Sequence, residues 1–124
     1  MIAVDSSTLI AFIGGDSGID VDLLDGAIAS NDIALPPVVL AEVLCQPHLP
    51  ARHSSLIRAL ATLEISDGYW LRAAELRGQI IGRKLKARLA DVLIAQSCID
   101  HGVALITRDT DFRHFAKHCG LKLA

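Results

Sequence analysis

The chain has 124 residues, 52% of them hydrophobic, and a formal charge of −2, with a mean hydropathy of +0.42. That is enough apolar material for one filled core and too much for a disordered chain, while no uncharged apolar run reaches the roughly 18 residues of a membrane-spanning helix. The pI near 6.2 argues against a simple basic nucleic-acid binder.

Ile2-Ala3-Val4 reads as a short buried strand, ended by Asp5. Ser6, Ser7 or Thr8 is placed to cap a helix running to about Ile13, which Gly14-Gly15 stops. Asp20 or Asp22 starts a second helix with Leu23, Leu24, Ala27 and Ile28 inside, and Ser30-Asn31-Asp32 is a turn by composition. Ile33-Ala34-Leu35 is the next strand. Pro36-Pro37 suits a first helical turn, where the missing N–H is harmless, and a helix follows from Val38 to Cys45. Pro47 and Pro50 end it in a loop.

Ser54 or Ser55 is expected to cap a helix whose stripe is Leu56, Ile57, Leu60 and Leu63. Glu64-Ile65-Ser66 reads as a brief edge strand. Asp67 is the expected cap of a helix from Gly68 to about Ile81, with Trp70, Ala73, Ala74, Ile80 and Ile81 inside. Gly82 to Lys86 is a basic linker. A long helix runs from about Ala87 to Asp100, closed by His101-Gly102. Val103 to Ile106 is a strand, a short helix spans about Phe112 to His118, and Leu121 to Leu123 is a last strand. Short apolar strands separated by helices indicate an α/β fold, a mainly parallel sheet of four to five strands flanked by helices. Without an internal linker, residues 1–124 should form one domain.

Four acids stand out from this pattern. Asp91 is the one charge in Ala90-Asp91-Val92-Leu93-Ile94-Ala95, sharing a helical stripe with Ile94, Ala95 and Cys98. Glu42 is the one polar residue between Val38 and Cys45. A charge on such a stripe is costly to bury unless it is paired or bound to a cation. No Lys or Arg lies three or four residues from Glu42, and Arg88 is the only one so placed for Asp91. Asp5 follows one strand directly and Asp109 follows another by three residues. In an open parallel sheet, strand carboxyl ends face one crevice. Each acid has a plain structural reading, as a helix cap, a solvated position or half of an ion pair. Together, without matching cations, four carboxylates would repel and raise one another's pKa. A divalent cation removes that problem, and oxygen-only ligands favour Mg²⁺ or Mn²⁺ over zinc. Such a centre can polarise a phosphoryl oxygen, activate water and orient an in-line attack. With four of the 14 acids set aside, 12 basic residues face ten remaining acidic ones, which weakens the exclusion of a nucleic-acid partner.

Val4-Asp5-Ser6-Ser7, Pro37-Val38-Val39-Leu40-Ala41-Glu42-Val43, Ala90-Asp91-Val92-Leu93-Ile94-Ala95 and Leu105-Ile106-Thr107-Arg108-Asp109-Thr110-Asp111-Phe112 resemble, in order and spacing, the four acidic motifs of PIN-domain ribonucleases. The nearest likeness is to VapC-type toxins of bacterial toxin–antitoxin pairs. The resemblance implies a PIN-like fold and an Mg²⁺- or Mn²⁺-dependent endoribonuclease that cleaves single-stranded or loop RNA. It implies Asp5, Glu42, Asp91 and Asp109 as catalytic and metal-holding acids, with Ser6, Thr107 and Asp111 in support. It also implies a homodimer and a small antitoxin that blocks the site.

Arg83, Lys84, Lys86 and Arg88 form the densest basic run and are candidates for RNA backbone contact, or a solvated surface segment. Arg108 is a further candidate, able instead to pair with nearby acids. His114 and His118 stand four apart, as a metal pair or as surface residues of a short helix. Aromatic residues are too few, at 4%, for a base-stacking platform. The three widely spaced cysteines, Cys45, Cys98 and Cys119, read as free thiols in a reducing compartment. The first residues lack a basic region and cleavable apolar segment, so a cytoplasmic protein without a membrane partner is expected. Two competing readings are a phospho-receiver-like signalling domain and a PIN-like module that binds without catalysis. The receiver needs an acidic pair after the first strand and a Lys after a late one, and Asp5 has no acidic neighbour.

Overall fold

A computed structural model describes residues 1–124. Its elements run β1 (Ile2–Val4), α1 (Ser6–Ile13), α2 (Ile19–Ala29), β2 (Ile33–Leu35), α3 (Pro37–Leu44), α4 (Ala51–Ala59), β3 (Ala61–Thr62), α5 (Tyr69–Gly82), α6 (Leu89–His101) and β4 (Ala104–Ile106). A 3₁₀ turn at Thr110–Phe112 leads into α7 (Arg113–Cys119). The four strands form one parallel sheet in the order β3-β2-β1-β4. This is the α/β fold expected from the alternation of short strands and helices.

The strands are short, so their position rests on burial. Successive side chains of a strand point to opposite faces. Ala3 and Val4 of β1 are both fully buried, as are Leu105 and Ile106 of β4 to within 1%. Both faces of the sheet are therefore covered, and that is why these segments read as unbroken apolar runs. Twenty-four buried residues form one apolar cluster. Each fully buried Leu, Ile or Phe in it, such as Leu9, Ile57 or Phe112, contributes roughly 1.5–3 kcal/mol of transfer free energy. No helix is long and apolar enough to cross a membrane. The three cysteines are free, as their spacing suggested.

Several boundaries differ from the expectation. The cap of α1 is Asp5 itself, whose Oδ1 accepts the Thr8 N–H at 3.0 Å. The residue before a helix has extended geometry suited to this, and Ser6 already lies inside. α2 begins at Ile19, one residue before Asp20, behind Gly18. α4 begins after Pro50 rather than at Ser54: Pro50, with its fixed φ, enters the turn and the helix starts at once. β3 is Ala61–Thr62, because Leu63 N–H reaches Leu35 O at 2.9 Å there, so Glu64–Ser66 lies beyond the pairing. The final expected strand is reduced to a single parallel bridge between Leu123 and Leu105.

α5 shows the largest difference. Ala73 and Ile80 are inside as expected, but Trp70 is 62% exposed and Ile81 51%, and Ala74 is exposed. Tyr69 and Leu76 are buried instead. The helix is apolar on two faces, and an apolar stripe cannot by itself say which face meets the core. The outer face, with Leu89 and Leu93 of α6, lines a groove of about 350 Å³.

Candidate active site

β1 sits in the middle of the sheet, and its last residue delivers Asp5 to the carboxyl edge. Asp5 N–H donates to Ile106 O at 3.1 Å, so the start of α1 and the end of β4 are locked side by side. α3 packs against α1 and α6, which brings Glu42 and Asp91 to the same edge. Asp5, Glu42, Asp91 and Asp109 all line one cleft of about 170 Å³, with Ser6, Ser7, Arg88 and Ile94. The four acids isolated in the sequence are thus neighbours in space.

Their surroundings differ in kind. Asp5 is 2% exposed and saturated with donors. Besides the cap, Ser7 Oγ donates to it at 2.8–2.9 Å and Thr107 Oγ1 donates at 2.6 Å. Thr107 Oγ1 in turn accepts the Asp109 N–H at 3.0 Å. Asp109 Oδ1 accepts the Asp111 N–H at 2.9 Å, capping the 3₁₀ turn. Ser6 Oγ donates to Glu42 Oε1 at 2.5 Å. The helix-cap reading of Asp5 and Asp109 is therefore correct and compatible with a place in the cleft. Ser7, which the sequence offers only as a possible helix cap, binds both oxygens of Asp5. Its position two residues past a cap is the signal that could have found it.

Asp91 is bonded by none of these donors. Burial first, and then the charges of Asp109, Glu42 and Asp111, raise its pKa to about 6, opposed by Arg88. The Asp5 pKa is also raised, by burial above all, against the pull of Thr107, Thr8 and Ser7. Burial and the nearby Asp5 charge push the Cys98 thiol up to about 12, so it stays protonated behind the cleft.

Asp91, Asp109 and Asp111 bring carboxylate oxygens within 4.8 Å of one another. An oxygen-only set at that spacing suits a hard divalent cation. Asp111 belongs to this tight group, while Asp5 and Glu42 line the cleft outside it. Asp111 also meets Lys86 Nζ at 3.4 Å and Arg88 at 3.7 Å, so the basic linker is tied to the rim.

Arg108 takes the other course. Its guanidinium grips Asp20 through two bonds at 2.8 and 3.1 Å and reaches Asp16 at 3.9 Å. Asp20 also accepts from Thr8 Oγ1 at 2.9 Å, and Arg108 above all holds its pKa down at about 2. Arg108 is thus a fastening between α2 and the loop after β4 rather than a free RNA contact. A receiver-like site is not present: Thr107 and Arg108 follow β4, and Glu42 and Asp91 stand on helices.

A search of curated protein sequences found no match. Among solved structures, the fold is similar to a chain in the crystal structure of VapBC2 from Rickettsia felis bound to a DNA fragment from their promoter. The TM-score is 0.77 at 21% identity, covering 100% of this chain and 98% of that one, a likeness of fold. The family model described as PIN domain matches residues 2–118, a span that holds β1, both acid-bearing helices and β4. The chain belongs to the PIN domain family.

Proposed function

We propose that this chain is an endoribonuclease of the VapC toxin type, dependent on Mg²⁺ or Mn²⁺, forming one catalytic domain over residues 1–124. The observation that carries the reading is Asp91: a carboxylate half-buried on an apolar helix, unbonded, facing Asp5, Glu42 and Asp109 across one cleft. A stability-driven sequence would neutralise such a charge or remove it. PIN-family membership and the ordered acidic motifs support a nuclease.

Asp91, Asp109 and Asp111 are the residues placed to hold a cation, with Asp5 and Glu42 beside them. Bound there, a divalent cation supplies the positive charge that polarises a phosphoryl oxygen and lowers the pKa of attacking water. The chain's own part is positioning. Thr107 holds Asp5 and the Asp109 backbone in one register, and Ser6 fixes Glu42, so the carboxylates need little reorganisation. Single-stranded or loop RNA is the substrate in this reading. A homodimer and a small antitoxin that closes the cleft complete it, in the cytoplasm. The likeness of fold to VapBC2 supports that assignment.

Purified chain incubated with labelled RNA should cleave it internally with Mg²⁺ or Mn²⁺ and not in EDTA. Undiminished cleavage in EDTA would falsify the metal-dependent mechanism.

A further inference from the structure

Charge in this protein is segregated along the chain. Residues 1–67 carry nine acidic and two basic residues, and residues 68–124 carry five acidic and ten basic. A net charge near zero thus hides an acidic half and a basic half, an asymmetry typical of chains that meet a polyanion.

The basic half is concentrated beside the cleft. Between α5 and α6 the chain alternates: Leu85 and Ala87 turn inward, while Lys84, Lys86 and Arg88 are exposed. Arg77 pins this segment by donating to Ala87 O at 3.0 Å. α7 packs against α5. There Arg83, Lys117 and His114 lie close enough to His118 to help lower its pKa, behind burial as the larger cause. Arg83, Lys84 and Lys117 form no ion pair, unlike Arg72 and Arg108.

Lys84 is the decisive residue. It has φ 60°, the left-handed conformation that ends a helix and that glycine or asparagine normally fills. Four other helices here end that way on such residues: Gly15 after α1, Asn31 after α2, Gly102 after α6 and Gly120 after α7. α5 alone ends on a lysine. Helix dipoles favour a cation near any helix C-terminus, but that cation need not occupy the strained position itself. A residue kept in strained geometry where glycine fits better points to a use for its side chain.

We propose that Arg83, Lys84, Lys86 and Arg88, continued by Lys117 on α7, form a track that binds the phosphate backbone of single-stranded RNA and leads it into the cleft at Asp111. The track rests on the ribonuclease reading for the identity of its polyanion. Lys86 and Arg88, which touch Asp111, mark its inner end, and Lys117 its outer end. Recognition is of backbone charge, so it is independent of base sequence.

The test is fluorescence anisotropy of a short labelled single-stranded RNA of mixed sequence, titrated with the full chain in EDTA at several salt concentrations. EDTA separates binding from cleavage. Lys84→Gly should weaken binding about 3- to 10-fold and flatten the log–log salt slope by about 0.7, the value of one lost phosphate contact. Its Tm should equal or exceed that of the wild type, because glycine suits φ 60°. The Arg83→Ala/Lys117→Ala pair should weaken binding further, whereas Arg58→Ala on α4 should leave it unchanged. Wild-type affinity and slope in Lys84→Gly, or no binding by the wild type, would overturn the track. Competition by duplex DNA as strong as by RNA would overturn its assignment to single strands. Salt-dependent binding that Lys84→Gly weakens supports the track even if the chain fails to cleave RNA with Mg²⁺, a result that counts against the ribonuclease reading instead.

Discussion

Two aspartates stand on α6, Asp91 near its start and Asp100 near its end, and the protein treats them in opposite ways. Asp100 receives Arg72 through Nε at 3.0 Å and Nη2 at 2.7 Å, Gln96 at 2.8 Å and Ser66 at 3.3 Å. Arg72 above all holds its pKa below the ordinary value. Asp91 receives no such donor and is pushed up to about 6, by burial first. One helix thus carries a carboxylate built for stability and one left in tension with its neighbours. A protein assembled for stability alone would have two of the first kind.

Exchanging Asp91 tests that contrast most severely. Asp91→Asn should lower RNA cleavage by about 100-fold or more, the scale seen when a group stabilising transition-state charge is removed. In EDTA the same variant should melt above the wild type, because a poorly solvated, repelled charge has gone. A lower Tm together with full cleavage would reverse the assignment. The Asp100 side is tested by Arg72→Ala, which leaves a half-buried carboxylate short of its strongest partner. Urea denaturation should show a lower midpoint than the wild type, with cleavage per folded molecule unchanged.

Acid titration gives the smallest effect. Asp100 and Asp20 both have folded pKa values below the usual carboxylate range, and that of Asp20 is about 2. Their stabilisation is therefore complete above about pH 4 and fades as pH falls through the folded values. Arg108→Ala removes the chief cause at Asp20. It should shift the midpoint of acid unfolding, followed by circular dichroism, to higher pH. An unchanged midpoint would mean that the α2 fastening contributes nothing.

Much of this arrangement is legible from residues alone, for a physical reason. Ile2–Val4, Ile33–Leu35 and Ala104–Ile106 each place buried residues on both faces of the sheet, and no exposed position interrupts their apolar runs. Glu42 and Asp91 were conspicuous because a lone charge on an apolar helix has no cheap explanation. What sequence could not show is pairing across distance. Thr107 meets Asp5 from 102 positions away in sequence, and Arg108 meets Asp20 rather than its near neighbours Asp109 and Asp111. The outward turn of Trp70 and Ile81 was equally hidden. Apolar residues signal burial against something, and α5 presents a second apolar face to the groove beside Leu89 and Leu93.

The central place of β1 has a consequence for the order of synthesis. β1 pairs with β2 on one side and with β4 on the other, and β4 begins only at Ala104. While the chain is being made, β1 can find β2 early but must leave its other edge open until β4 emerges, some seventy residues after β2. Asp5 lacks Thr107, and the cleft lacks Asp109, for that whole interval. Long-range parallel pairing of this kind is slow, and folding during translation begins from the amino end. The carboxylate cleft is therefore completed only after β4 has paired with β1, which brings Thr107 to Asp5 and Asp109 to the cleft as a late step of folding.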